Sequence, residues 1–268
     1  MFRVKLSVVC VSLLATVALL IGGCSSTPED KTAGMSPNKL YAEAKDEMSS
    51  GQWERAILML EKLEARAAGT PLAQQAQLDK AYAQYKSAEP AQALATLERF
   101  VKLHPVSPAL DYAIYLRGIV NFNDDLGLFA RFTRQDLAER DQKASKESFE
   151  AFKELVERFP ESRYAADSRL RMNYIVSSLA QYEVHVARYY FKRRAYLAAV
   201  NRAQVAITDY REVPAIEEAL FILYRSYDAL GLTQLRDDAK RVFDKNYPNS
   251  EFLTAGGRVS VDPWWKVW

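Results

Sequence analysis

The chain has 268 residues, of which 36 are Lys or Arg, 34 are Asp or Glu, two are His and two are Cys; 49% are hydrophobic. A formal net charge of +2 gives no electrostatic footing for nucleic acid. Two cysteines cannot build a disulfide framework, and neither His104 nor His185 has a neighbour at metal-ligand spacing.

The first element is a leader. Arg3 and Lys5 precede a run from Val8 to Ile21 that is apolar apart from Cys10, Ser12 and Thr16. A spanning helix needs roughly 20 such residues, so the run is too short. A basic start, a short apolar core and small residues at its end describe a secretory signal. The end, Ile21-Gly22-Gly23-Cys24, resembles the bacterial lipobox. That resemblance implies removal of residues 1–23 and lipidation of Cys24 by a diacylglyceryl thioether and an N-acyl chain. Ser25, where lipoproteins of the inner membrane usually carry Asp, implies sorting to the outer membrane. Each buried CH₂ contributes about 0.8 kcal/mol, and two chains already hold a protein stably on a membrane. Residues 24–36 then form the anchor and a Ser/Thr/Pro/Gly-rich tether. With Cys10 gone and Cys24 lipidated, no thiol remains. Losing Arg3 and Lys5 brings the basic count from 36 to 34, equal to the acidic count of 34.

Residues 37–250 read as nearly all helix. Ala, Leu, Glu, Gln, Lys and Arg dominate, apolar residues recur at steps of three and four, and Pro and Gly fall between segments. A repeat runs through them. Ala93-x₃-Leu97 and Ser148-x₃-Phe152 are each followed by proline (Pro105, Pro160) twelve residues after the small residue. This is half of the tetratricopeptide (TPR) pattern. The other half is a small residue twelve positions earlier, on the preceding helix: Ala44 before Ala56, Ala81 before Ala93, Ala187 before Ala199. Small residues there let paired helices approach closely. In the third unit, Gly118 and Ser148 are thirty apart, so eighteen extra residues separate its helices. The spacing from Ser148 to Ala199 leaves room for a long helix around 165–190, and a degenerate fifth unit near 215–248 suits a cap. The expected fold is an all-α TPR-like superhelix of about five helix pairs with an insertion in the third.

In such a superhelix the first helix of each unit lines the concave face. Three before, one after and four after the small residue are the inward positions. They place Leu78, Tyr82 and Tyr85 in the second unit, and Tyr115, Ile119 and Phe122, with Tyr112 a turn earlier, in the third. Tyr82, Tyr85, Tyr112, Tyr115 and Phe122 could form one groove for an extended or aromatic-ended peptide, or could be inter-helix core. The insertion (123–141) carries Leu126, Leu128, Phe129 and Phe132. It could cover the concave face, meet a partner or pack on its neighbours. Arg188, Arg193, Arg194 and Arg202 sit among tyrosines in 185–204. That is the composition of interface hot spots as well as of a solvated charged face. The tail, 251–268, ends with Trp264, Trp265 and Trp268, which suit a partner or a lipid interface, although termini are commonly disordered.

Catalytic chemistry has no carrier here: no phosphate-binding glycine loop, no nucleophile elbow, no usable thiol. No metal or cofactor is expected, and a binding protein is favoured over an enzyme.

Motifs along most of the mature chain resemble the YfiO/ComL (BamD) family of lipoproteins of the outer-membrane β-barrel assembly machinery. They include NKLYAEAKDEMSSGQWERAI (38–57), DYAIYLRGIVN (111–121), YEVHVARYYFKRRAYLAAVNRAQ (182–204) and YRSYDALGLTQLRDDA (224–239). The family often has proline after the Arg-Asp that ends the insertion; here Gln142 follows Arg140-Asp141. The tryptophan tail is not a general family feature. The resemblance implies a scaffold on the periplasmic side of the outer membrane. Its C-terminal repeats would dock a POTRA domain of the barrel subunit BamA through a segment holding Arg188 and Arg202. BamC and other lipoproteins of the complex would pack along it. Its N-terminal groove would meet the aromatic-ended C-terminus of unfolded outer-membrane proteins. A different lipid-anchored repeat adaptor, recruiting cell-wall enzymes or proteases, shares all the physics and differs only in motif.

Overall fold

The computed structural model describes residues 32–122 and 142–254. Cys24 with the leader, the insertion 123–141 and Trp264, Trp265 and Trp268 lie outside the described residues. The described residues form eleven helices and no strand. They are α1 (Pro37–Ser49), α2 (Trp53–Arg66), α3 (Pro71–Lys86), α4 (Pro90–Leu103), α5 (Leu110–Phe122), α6 (Gln142–Arg158), α7 (Ala165–Lys192), α8 (Tyr196–Asp209), α9 (Ala215–Ala229), α10 (Thr233–Asn246) and α11 (Glu251–Thr254). None of them is long and apolar enough to cross a membrane.

Local sequence explains where helices begin. Pro37, Pro71 and Pro90 open α1, α3 and α4, where a missing N–H costs nothing. Ser36 and Thr70 cap the first two, each accepting from the backbone N–H three residues on. The long helix expected around 165–190 is α7, at 28 residues.

Each odd-numbered helix from α1 to α9 packs on the even one that follows, and each even one on the next odd one, giving five stacked pairs. The small residues sit at the crossings. Ala44, Ala56, Ala81, Ala93, Ser148, Ala187 and Ala199 have no exposed surface, and Gly118 is buried. The third pair closes despite the insertion. Ser148 Oγ donates to the Gly118 carbonyl over 2.9 Å, and a Cβ on Gly118 would stand 2.5 Å from Phe152 Cε1. No residue other than glycine fits there without moving the ring.

The tight turns inside pairs one, two, four and five share one geometry. The residue five before the small-residue position of the second helix is left-handed: Gly51, Ala88, Arg194 and Gly231, with φ between 60° and 73°. In all four, the following N–H reaches back five residues to a helix carbonyl, for example Gln52 to Glu47 at 2.8 Å and Ala195 to Tyr190 at 3.0 Å. This is the Schellman closure, which favours glycine. By the same count Arg236 occupies the small-residue position of the fifth pair. It turns outward to Asp228 and Asp237 at 3.2 and 2.8 Å. Rings fill the gap: Phe243 lies 6.1 Å from Phe221 and 5.6 Å from Tyr224, and Phe252 of α11 stacks on Phe221 at 5.0 Å. Helix α10 buries only Ala239 and Phe243, leaving the polar outer side of a cap.

Candidate functional site

The odd helices carry the residues expected on the concave face. They are stitched to one another by polar bonds that the sequence pattern did not point to. Tyr41 of α1 donates to Asp79 of α3 at 2.8 Å, and Lys45 lies 3.4 Å from the same oxygen. Tyr115 of α5 donates to Asp167 of α7 at 2.8 Å, and Arg171 holds that carboxylate from the next turn at 2.7 Å. Arg188 of α7 grips Glu218 of α9 through Nε and Nη2, both at 2.5 Å. Side chains from successive repeats are thus fixed before any ligand arrives.

The predicted ring set divides. Tyr112 and Tyr115 come together through Tyr164, which lies just ahead of α7. Tyr115 stacks on it at 4.5 Å and 17°, and Tyr112 tilts against it at 5.6 Å. Tyr82 meets Trp53 edge-on at 6.1 Å. Tyr85 is half-buried against the second pair's core. Burial pushes the Tyr112 hydroxyl well above its ordinary pKa, with the Asp79 charge adding to it. The Tyr115 hydroxyl is pushed up to about 12, first by burial and then by its bond to Asp167. Both phenols are therefore neutral donors at any physiological pH.

Two inward expectations are corrected. Phe122 is only 6% exposed; it packs against Phe152 at 6.1 Å and lies beneath the Arg171 guanidinium at 4.8 Å. Leu78 is 1% exposed and belongs to the core of the second and third pairs. Helix spacing placed both on a face, but the insertion-bearing pair is drawn close at Gly118. That approach brings Phe152 over Phe122. The partly exposed rings are therefore Tyr82, Tyr85, Tyr112 and Tyr115 with Trp53, Tyr41 and Tyr164, and Asp79 and Asp167 accept from the Tyr41 and Tyr115 hydroxyls. Tyr41 and Trp53 had a readable signal, since both flank the first pair's small residues. Asp79 had none.

The two arginines of the fourth pair differ. Both donors on one edge of Arg188 are taken by Glu218, and its side chain is 32% exposed. Arg202 of α8 is 44% exposed and leans on Glu183 of α7 through Nη1 alone, at 3.1 and 3.5 Å. Of the pair, Arg202 presents the freer guanidinium. Among the described residues no group of His, Cys, Asp and Glu could hold a metal ion.

The sequence profile of YfiO, described as an outer membrane lipoprotein, matches residues 33–242. Outer membrane protein assembly factor BamD of Neisseria meningitidis serogroup A is 46% identical over 261 residues, covering 96% of this chain and 98% of that one. The protein of the same name from Vibrio cholerae is 36% identical over 227 residues, covering 85% of this chain and 94% of that one. Among solved structures, the MamA protein aligns with 85% of this chain and 98% of its own at 17% identity and a TM-score of 0.33. Matching over most of its length, the chain belongs to the YfiO family of outer membrane lipoproteins.

Proposed function

We propose that the chain is a lipid-anchored periplasmic scaffold of the β-barrel assembly machinery, helping to assemble and insert β-barrel proteins into the outer membrane. The observation that carries this reading is the near end-to-end match to a protein named outer membrane protein assembly factor. Cys24 is the anchor, and Cys24→Ala should move the protein from the membrane pellet to the soluble periplasmic fraction. The fourth and fifth pairs dock a POTRA domain of the barrel subunit BamA. Arg202 supports that role because its guanidinium is half-exposed and only partly engaged. BamC and other lipoproteins of the complex lie along the repeats. The surface of Tyr82, Tyr112 and Tyr115 receives the C-terminal segment of unfolded outer-membrane proteins. Stacked rings with fixed hydroxyls offer rigid area at little entropic cost, which suits an extended peptide ending in an aromatic.

The deciding experiment is capture of partners by the full lipidated chain from detergent-solubilised outer membrane. A barrel protein bearing POTRA domains should be recovered. Its absence sinks the reading. For the groove, a photoreactive group at Tyr82 or Tyr115 should cross-link a client C-terminal peptide; labelling confined to residues 255–268 rejects that part.

A further inference from the structure

Glu183 is an unusual residue for its place. It is 5% exposed, on α7, next to a core that includes Val184, Ala187, Ala199, Val200 and Ala203. Burying a carboxylate without a partner costs several kcal/mol, on the order of what a close cation offsets. The cation is Arg202, nineteen residues on, and its contact is one-sided. Nη1 spans both carboxylate oxygens at 3.1 and 3.5 Å. Nη2 and Nε, which form the outer edge of the planar fork, bond to no group among the described residues. Tyr210 also feels this carboxylate: burial first, and then the Glu183 and Asp209 charges, raise its phenol above the ordinary value.

A lysine would need no such arrangement. A guanidinium held by one nitrogen keeps two parallel donors pointed away from its anchor, and two parallel donors match a carboxylate. We propose that Glu183 is a positioning residue: it fixes the Arg202 guanidinium so that its outer edge accepts an acidic side chain of the docking partner. This rests on the docking reading above and deepens it. Glu183 never touches the partner. It removes the rotamer freedom that Arg202 would otherwise lose on binding, and so acts through the arginine.

The test compares the full lipidated chain in detergent with its Glu183→Gln and Arg202→Lys variants and the double variant. Affinity for the full-length barrel subunit is measured for each, and the order of the Arg202 Nε–H is read by nitrogen relaxation without partner. Arg202→Lys keeps the buried carboxylate paired, so folding is preserved. Glu183→Gln should weaken binding about 10-fold and mobilise the guanidinium. The double variant should be no weaker than Arg202→Lys, because both changes remove the same interaction. Equal affinity for Glu183→Gln and wild type, or losses that multiply, would overturn the proposal. If the wild-type chain does not bind the barrel subunit at all, the docking reading fails instead. An unchanged Arg202 order in Glu183→Gln then still refutes the positioning role, and a loosened one supports it.

Discussion

Replacing Gly118 by Ala tests the close approach on which the third pair depends. The added Cβ would meet Phe152 ring carbons at 2.5, 2.7 and 2.9 Å. That is about 1 Å inside ordinary carbon contact. The ring has nowhere to go. Phe152 is fully buried and wedged between Tyr115 at 6.0 Å and Phe122 at 6.1 Å. Overpacking of this kind costs about 1–3 kcal/mol, and a caged ring belongs at the upper end. Pushing the helices apart also stretches the buried Ser148–Gly118 bond, whose net contribution is about 1 kcal/mol. Against this, alanine gains about 1 kcal/mol of helix propensity over glycine. The balance is a loss of about 2–3 kcal/mol, or a fall of roughly 4–12 °C in Tm for a chain of this size. Urea and thermal unfolding of the full chain, followed by circular dichroism, measure it. A Gly118→Ala protein as stable as wild type would refute the reasoning, since propensity alone would then govern the site. Gly118→Ala combined with Phe152→Leu should recover part of the loss, because the smaller side chain vacates the contact.

Three further outcomes are expected. Ala88→Gly and Arg194→Gly should each raise stability by a few tenths to about 1 kcal/mol, as both non-glycine residues hold left-handed turns; Gly51→Ala should lower it by a similar amount in the same urea titration. Stability should fall in acid. Burial raises the pKa values of Glu154 and Asp167, but Arg117 with Arg158, and Arg171 with Tyr115, overrule it and leave both below their ordinary values. Carboxyls depressed in the folded state stabilise fully above their unfolded pKa of about 4 and lose that contribution as pH falls through the folded one. The urea midpoint should therefore drop below about pH 4, and less steeply in a Glu154→Gln, Asp167→Asn protein. Arg188→Gln should cost about 2 kcal/mol of stability by abandoning Glu218, while leaving affinity for the barrel subunit within about twofold once the folded fraction is matched.

What the sequence could show and what it could not follow from the range of each interaction. The helix pairs were legible because they rest on small residues twelve apart and on prolines between helices, both local signals. The same local arithmetic identified the long α7 and the odd fifth unit. It missed that Ala88 and Arg194 stand where glycine is favoured, because neither residue advertises a left-handed turn. Of the positions that spacing put on one face, Tyr82, Tyr85, Tyr112 and Tyr115 are partly exposed, whereas Phe122 and Leu78 are buried. A helical wheel gives direction, but burial depends on how near the next helix comes, and Gly118 sets that distance for Phe122.

The two arginines show the limit most clearly. Arg188 and Arg202 have the same chemistry and lie fourteen residues apart in one tyrosine-rich stretch. Their difference is made by acids elsewhere: Glu218, thirty residues beyond Arg188 on α9, and Glu183, nineteen before Arg202 on α7. Glu218 faces its arginine edge to edge and takes two donors; Glu183 lies below its arginine and takes one. Pairing of this kind depends on where two helices cross, not on spacing along either. Which guanidinium donors stay open is therefore set by the carboxylates on the neighbouring helix. If docking uses Arg202, the buried acid should matter to it as much as the exposed base, and the Glu183→Gln comparison decides that.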